Sequence, residues 1–230
     1  SLPAPITAAT GMDALTHAVE AYYCLSKNPL SDVTALAAIR LISGNLLKVV
    51  RKPSDREGRL AMANAATLAG MAFSNSMVGM VHTLGHATGS VCGVPHGVCM
   101  AILLPYGLEY NRHKREVVMG ELLFPIGGPG IYGQTAPEDR TNRVIAYVRQ
   151  LNEDLHEMTG GRHARFLGEV IDREGNPAVP RERLPDIART ALGDGSIFYN
   201  PEDLDYDDLL MVLEAAWEGM PLDSGRIRKG

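Results

Sequence analysis

The chain has 230 residues, a net charge of −5 and 45% hydrophobic residues, which is enough for one large unit or two small ones around a deep core. Its acidic balance, with no basic stripe and no interleaving of basic and aromatic residues, argues against a nucleic-acid partner. Cys24, Cys92 and Cys99 form no CxxC pair and point to reduced thiols in a cytoplasmic protein, and neither an uninterrupted apolar run of the ~18–20 residues of a membrane helix nor a signal peptide is visible.

The opening Ser1-Leu2-Pro3-Ala4-Pro5 has no initiator Met and runs straight into a helical pattern, so the chain is expected to be the downstream piece of something longer. Thr10 with Asp13 three residues on fits a capping box, predicting a first helix through about Leu25. Ser31 and Asp32 are expected to cap a second helix, apolar on most faces and therefore buried, which Pro53 closes after Lys52. An Ala-, Met- and Leu-rich stretch from Asp55 to about Ser74 predicts a central helix. A fourth is expected over Met77–Val91, and a fifth from His96 to about Leu104, ending before Pro105.

Gly120 to Ala136 is rich in Gly and Pro and predicts a break, dividing a tightly packed part (1–119) from a looser one (120–230). A polar helix follows over Pro137–Met158, then a turn over Arg173–Pro180, then helices over Arg183–Leu192 and Asp205–Glu218 around the sole Trp217. With no βαβ alternation and no repeat, the fold class is all-α, a multi-helix bundle, and residues 1–230 form a single unit.

Four of the seven histidines and one aspartate fall in two short windows, Gly11–Glu20 and His82–Gly97. Residues four apart share a helix face, which pairs Asp13 with His17 and His82 with His86. Gly89, Gly93 and Pro95 form a bend that can return His96 to the His82 face. Singly, each has an ordinary reading: Asp13 as a capping-box carboxylate, His17 as a core histidine, His82 and His86 as a polar helix face. Together, embedded in apolar helices where unpaired polar groups are costly, they favour one shared metal. One carboxylate with several imidazoles suits Zn2+, Fe2+ or a neighbouring divalent ion. His113, His156 and His163 stand among charged residues and are read as surface groups. Gly128-x-Gly130-x-x-Gly133 spells a dinucleotide fingerprint, but lacks the preceding strand and the helix opening at its third glycine. It is read as a loop.

These windows resemble the C-terminal helical domain of the iron-containing alcohol dehydrogenases (a dehydroquinate synthase-like architecture). The resemblance lies in Thr10 to Tyr22, Ser31-Asp32 with Ala38 to Ile42, Ala69 to Asn75, Gly79 to His86, Pro95 to Val98, and Leu104-Pro105 leading to Tyr110-Asn111. It is strong over Leu2 to Asn111, returns weakly at Asp194-Gly195 and Asn200-Pro201, and is poor between Gly120 and Pro180.

The resemblance implies that Asp13, His17, His82 and His96 are the metal ligands, where spacing alone would also include His86. It gives His86 a catalytic and cofactor-facing role beside the nicotinamide and substrate. With every ligand position filled, it favours the iron-type dehydrogenases over metal-free maleylacetate reductases. It further implies Fe2+ (or Zn2+), NAD or NADP, a small alcohol or aldehyde substrate, and a homo-oligomer. In the family a separate N-terminal dinucleotide-binding domain holds most of the nucleotide. No part of that domain is expected within these 230 residues, so the chain alone is expected to be inactive or very weak. Two other readings stand beside this one: a non-catalytic helical metal-binding or assembly module, and a structural domain with incidental histidines.

Overall fold

Pro3 and Pro5 start the first helix, since proline lacks only an N–H that a first helical turn leaves unpaired anyway. A computed structural model describes residues 2–223 and 225–227; Ser1 of the opening stretch lies outside them. Helix α1 spans Ala4–Tyr23 with Pro3 as its N-cap. Thr10 is therefore not the cap expected from the sequence: it lies inside the helix and donates its hydroxyl to Ile6 O at 2.8 Å. Asp13 is accordingly no capping-box carboxylate, because the helix has begun more than two turns earlier.

Helix α2 (Pro29–Arg51) is capped by Asn28, three residues before the expected cap. Ser31 serves as the returning arm of that capping box, accepting the Asn28 N–H at 3.0 Å. By length and composition α2 could cross a membrane. Here it packs against α1 and against α3 (Arg56–Ser76, capped by Asp55), burying Ala35, Ala38, Ile39 and Ile42 while Leu30 and Val33 stay exposed. Helix α4 (Met80–Cys92) and helix α5 (His96–Glu121) follow, joined by a bend in which Gly93 takes φ 71°.

Two expectations fail at prolines and glycines. Helix α5 does not stop before Pro105 but continues through it. The Gly/Pro-rich break is largely helical: α6 covers Leu123–Gln134, bent at Gly128 (φ 78°) with Pro129 opening its second half. The sequence Gly128-x-Gly130-x-x-Gly133 is thus bent helix and not the expected loop. A positive-φ glycine followed by proline can end one helical segment and begin the next.

A short 3-10 turn over Pro137–Asp139 leads into α7 (Arg140–Met158). The turn near Arg173–Pro180 closes on a single Ile171–Pro177 bridge. Helices α8 (Leu184–Ala191) and α9 (Tyr206–Glu218) complete the chain, with a 3-10 turn over Gly195–Tyr199 between them. No strand occurs among the described residues. Buried apolar side chains from α1 through α9, including Met12, Ile39, Met100, Val148, Ile187 and Leu213, join one core cluster. Cys24, Cys92 and Cys99 are free thiols.

Candidate metal centre

Three helices meet where the two sequence windows converge. Asp13 and His17 lie one turn apart on α1, His82 lies in the first turn of α4, and His96 opens α5. The approach of α5 to α1 depends on Gly97: a Cβ there would lie 2.6 Å from Ala9 O. The start of α4 is equally tight, since a Cβ at Gly79 would lie 2.9 Å from Asn200 Oδ1. Small residues at these two positions let backbone and side chains close around the histidines.

Asp13, His17, His82 and His96 each offer one donor atom, and the four atoms lie within 4.8 Å of one another. The ring centroids of His17 and His82 are 4.3 Å apart, those of His82 and His96 5.5 Å. Phe73 of α3 stacks on His17 at 4.4 Å. His17 Nδ1 is engaged by the backbone carbonyl of Asp13 at 3.0 Å, which leaves Nε2 as its available donor atom. His96 Nε2 stands 3.1 Å from Asp13 Oδ1. Even so, Asp13 Oδ1 and His82 Nε2 are buried atoms with no hydrogen-bond partner.

The electrostatics suit a cation. Burial, then the charge of His82, pushes His17 down to about 4, so its imidazole is neutral near pH 7. Burial raises the Asp13 carboxyl, but the contact with His96 and the neighbouring imidazoles outweigh it and hold the group below its ordinary value. The contact with Asp13 raises His96, with burial opposing. Buried polar atoms are normally paired, and an unpaired one calls for an ion or another ligand. Two such atoms in a set of one carboxylate and three imidazoles could hold a divalent first-row metal, which binds these donors at about 2.0–2.2 Å.

His86 stands beside this cluster. Its ring stacks on His96 at 5.3 Å with an interplanar angle of 20°, and its Nδ1 is held by Asp194 Oδ2 at 2.8 Å. Almost half of its side chain is exposed, as is 40% of His96, so the site opens to solvent on this side. The other three histidines join no cluster with it, but they are not the free surface groups expected. His163 is buried, with Nε2 3.0 Å from Asn152 Oδ1. His156 bonds the His163 carbonyl and His113 pairs with Glu202.

Sequence reasoning gave no role to two carboxylates at this site. Glu20 is fully buried and lies 2.5 Å from His82 Nδ1. Burial raises its carboxyl, but His82 and the N–H groups of Val81 and His82 hold it low. Asp194 was visible only as part of a weak echo. The available sign for Glu20 was an acid inside an otherwise apolar, Ala-rich helix.

Comparison with known proteins places the chain in a family. The model of the Fe-containing alcohol dehydrogenase family, C-terminal, matches residues 7–217. The match runs on through the Gly120–Pro180 region, where the sequence had shown poor resemblance. The chain is 38% identical over 218 residues to 1,3-propanediol dehydrogenase of Klebsiella pneumoniae, covering 94% of this chain and 52% of that protein. It is 47% identical over 222 residues to long-chain-alcohol dehydrogenase 1 of Geobacillus thermodenitrificans, covering 95% and 52%. A solved 1,3-propanediol oxidoreductase superposes with a TM-score of 0.83 at 35% identity, over 94% of this chain and 53% of that one. The chain thus spans about half the length of the curated relatives it matches. It belongs to the iron-containing alcohol dehydrogenase family, of which it carries the C-terminal, all-helical part.

Proposed function

We propose that this chain is the metal-binding half of an NAD(P)-dependent alcohol dehydrogenase, a single helical catalytic unit in which Asp13, His17, His82 and His96 hold Fe2+, with Zn2+ as the alternative ion. The observation that carries the reading is the convergence of four donor atoms within 4.8 Å, at a site where Asp13 Oδ1 and His82 Nε2 are buried atoms with no hydrogen-bond partner. The family supports iron and alcohol chemistry. The two relatives are named for a three-carbon diol and for long-chain alcohols, so an alcohol or aldehyde is proposed as the substrate class, without a chain length.

An ion held by these four residues would supply Lewis-acid chemistry toward an alcohol or carbonyl oxygen. Asp13 contributes the anionic donor, and His17, already neutral near pH 7, needs no deprotonation to bind. His86, with Nδ1 held by Asp194 and almost half of its side chain exposed, can contact substrate or relay a proton through Nε2. The nicotinamide nucleotide is held mainly by the N-terminal part of the full-length protein, which meets the exposed side of His86 and His96. On its own the chain has little or no turnover.

The test is metal analysis and turnover of the full-length gene product. It should carry about one Fe or Zn per chain, lose it in Asp13→Ala and His96→Ala, and reduce NAD(P)+ with a primary alcohol. No metal at any loading sinks the ligand assignment. Metal without alcohol oxidation supports the non-catalytic module instead.

A further inference from the structure

Glu20 has only hydrogen-bond donors around its carboxylate. Oε1 accepts the Val81 N–H at 2.9 Å and the Tyr23 hydroxyl at 3.1 Å. Oε2 accepts the His82 N–H at 3.2 Å and lies 2.5 Å from His82 Nδ1. An ionised carboxylate is acceptor-only, with about four lone-pair sites, and here each is matched. Because Oε2 can only accept, His82 Nδ1 must be the protonated nitrogen. That leaves the lone pair of the imidazole on Nε2, the buried atom with no partner of its own.

We infer that Glu20 is a positioning residue of the metal centre: it locks His82 in the Nδ1–H tautomer, so that Nε2 is held ready as a ligand, and places a second negative charge one imidazole away from the ion. The inference rests on the metal reading above. With Asp13 it gives the site two carboxylates against a dication, while the three imidazoles add no charge. A carboxylate behind a ligating histidine fixes its ring and raises its basicity.

Helix capping alone does not explain the residue. Asn200 Oδ1 already takes the Met80 N–H at 3.1 Å, showing that a neutral amide serves for that end of α4. The Val81 and His82 N–H groups need one acceptor oxygen each. The contact of Oε2 with a side-chain nitrogen as well is what a cap does not require. A glutamine at this position would turn its amino group against donors on one side or the other.

The test uses the full-length protein labelled with 15N-histidine. In the metal-free wild type, His82 is expected to show a protonated Nδ1 and an unprotonated Nε2, and in Glu20→Gln that preference is lost. Zn2+ affinity, read by chelator competition, should fall about 10- to 100-fold in Glu20→Gln. Tyr23→Phe removes one donor from Oε1 but leaves the His82 contact, and should bind Zn2+ as the wild type does. A wild-type His82 protonated at Nε2 overturns the inference whether or not any variant folds. Wild-type affinity in Glu20→Gln, or an equal loss in Tyr23→Phe, also overturns it. A wild type that binds no Zn2+ while His82 carries its proton on Nδ1 overturns the metal reading itself and ends Glu20's role toward an ion.

Discussion

His86 Nδ1 and Asp194 Oδ2 meet at 2.8 Å across 108 residues of sequence, while Oδ1 of the same carboxylate accepts the Ser196 N–H at 2.8 Å. The pair ties α4 to the 3-10 turn over Gly195–Tyr199 and leaves His86 Nε2 as the free nitrogen beside His96. An asparagine at 194 would keep one of these contacts and present an amino group to the other. If the proposed alcohol oxidation holds, Asp194→Asn in the full-length protein should therefore lower kcat/KM about 100-fold while metal content stays at the wild-type level. Unchanged turnover would remove Asp194 from the account of His86, and lost metal would mean that the turn supports the ligands themselves.

Asn152 explains how α5 passes through Pro105. Proline has no N–H for the carbonyl four residues back, here Ala101, and Asn152 Nδ2 donates to that carbonyl at 2.7 Å. Its Oδ1 accepts from His163 Nε2 at 3.0 Å. Replacing Asn152 with Ala leaves two buried groups unpaired and should cost about 2 kcal/mol or more. Urea unfolding monitored by circular dichroism measures this, and a loss under about 0.5 kcal/mol would show that water or relaxation fills the gap.

His163 should make stability depend on pH. Burial, then His156, pushes it down to about 4 from an ordinary 6.5. The folded state therefore disfavours the proton that the unfolded state binds between these values. The contribution is complete above about pH 6.5 and is lost as pH falls toward 4, a span worth about 3 kcal/mol at most. In His163→Gln the decline in unfolding free energy between pH 7 and 5 should be shallower than in wild type, both measured without metal. Parallel curves would assign the decline to other groups.

Two glycines should respond in opposite directions to the same substitution. At Gly97 a Cβ would press on Ala9 O at 2.6 Å, so Gly97→Ala should cost about 1–3 kcal/mol and weaken metal binding by moving His96 from Asp13. Gly44 sits in α2 with nothing within 4 Å of a built Cβ, so Gly44→Ala should stabilise by about 0.5–1 kcal/mol. Thermal unfolding of both variants checks the pair. A neutral Gly97→Ala would show that the first turn of α5 can shift without consequence.

The parts legible in the sequence were those governed by near neighbours. Helical periodicity placed Asp13 over His17 and His82 over His86, and the glycines around position 93 announced the bend that brings His96 back. The helices expected to begin at Asp55 and Asp205 do begin there, with both carboxylates serving as N-caps. Two starts went astray: the helices expected to begin at Thr10 and at Ser31 begin earlier, after Pro3 and Asn28.

The amino-acid sequence by itself determined the all-helical class and the residue types of the candidate centre, because both follow from spacing along single helices. Only the tertiary structure decided which groups stand together: Asp13 beside His96, Glu20 behind His82, Asp194 behind His86. It also decided that α5 survives Pro105 and that His163 turns inward. The reason is the same in each case. An unpaired carbonyl, imidazole nitrogen or carboxylate is costly when buried, and the partner that satisfies it comes from a helix far away in the chain, where local periodicity carries no information.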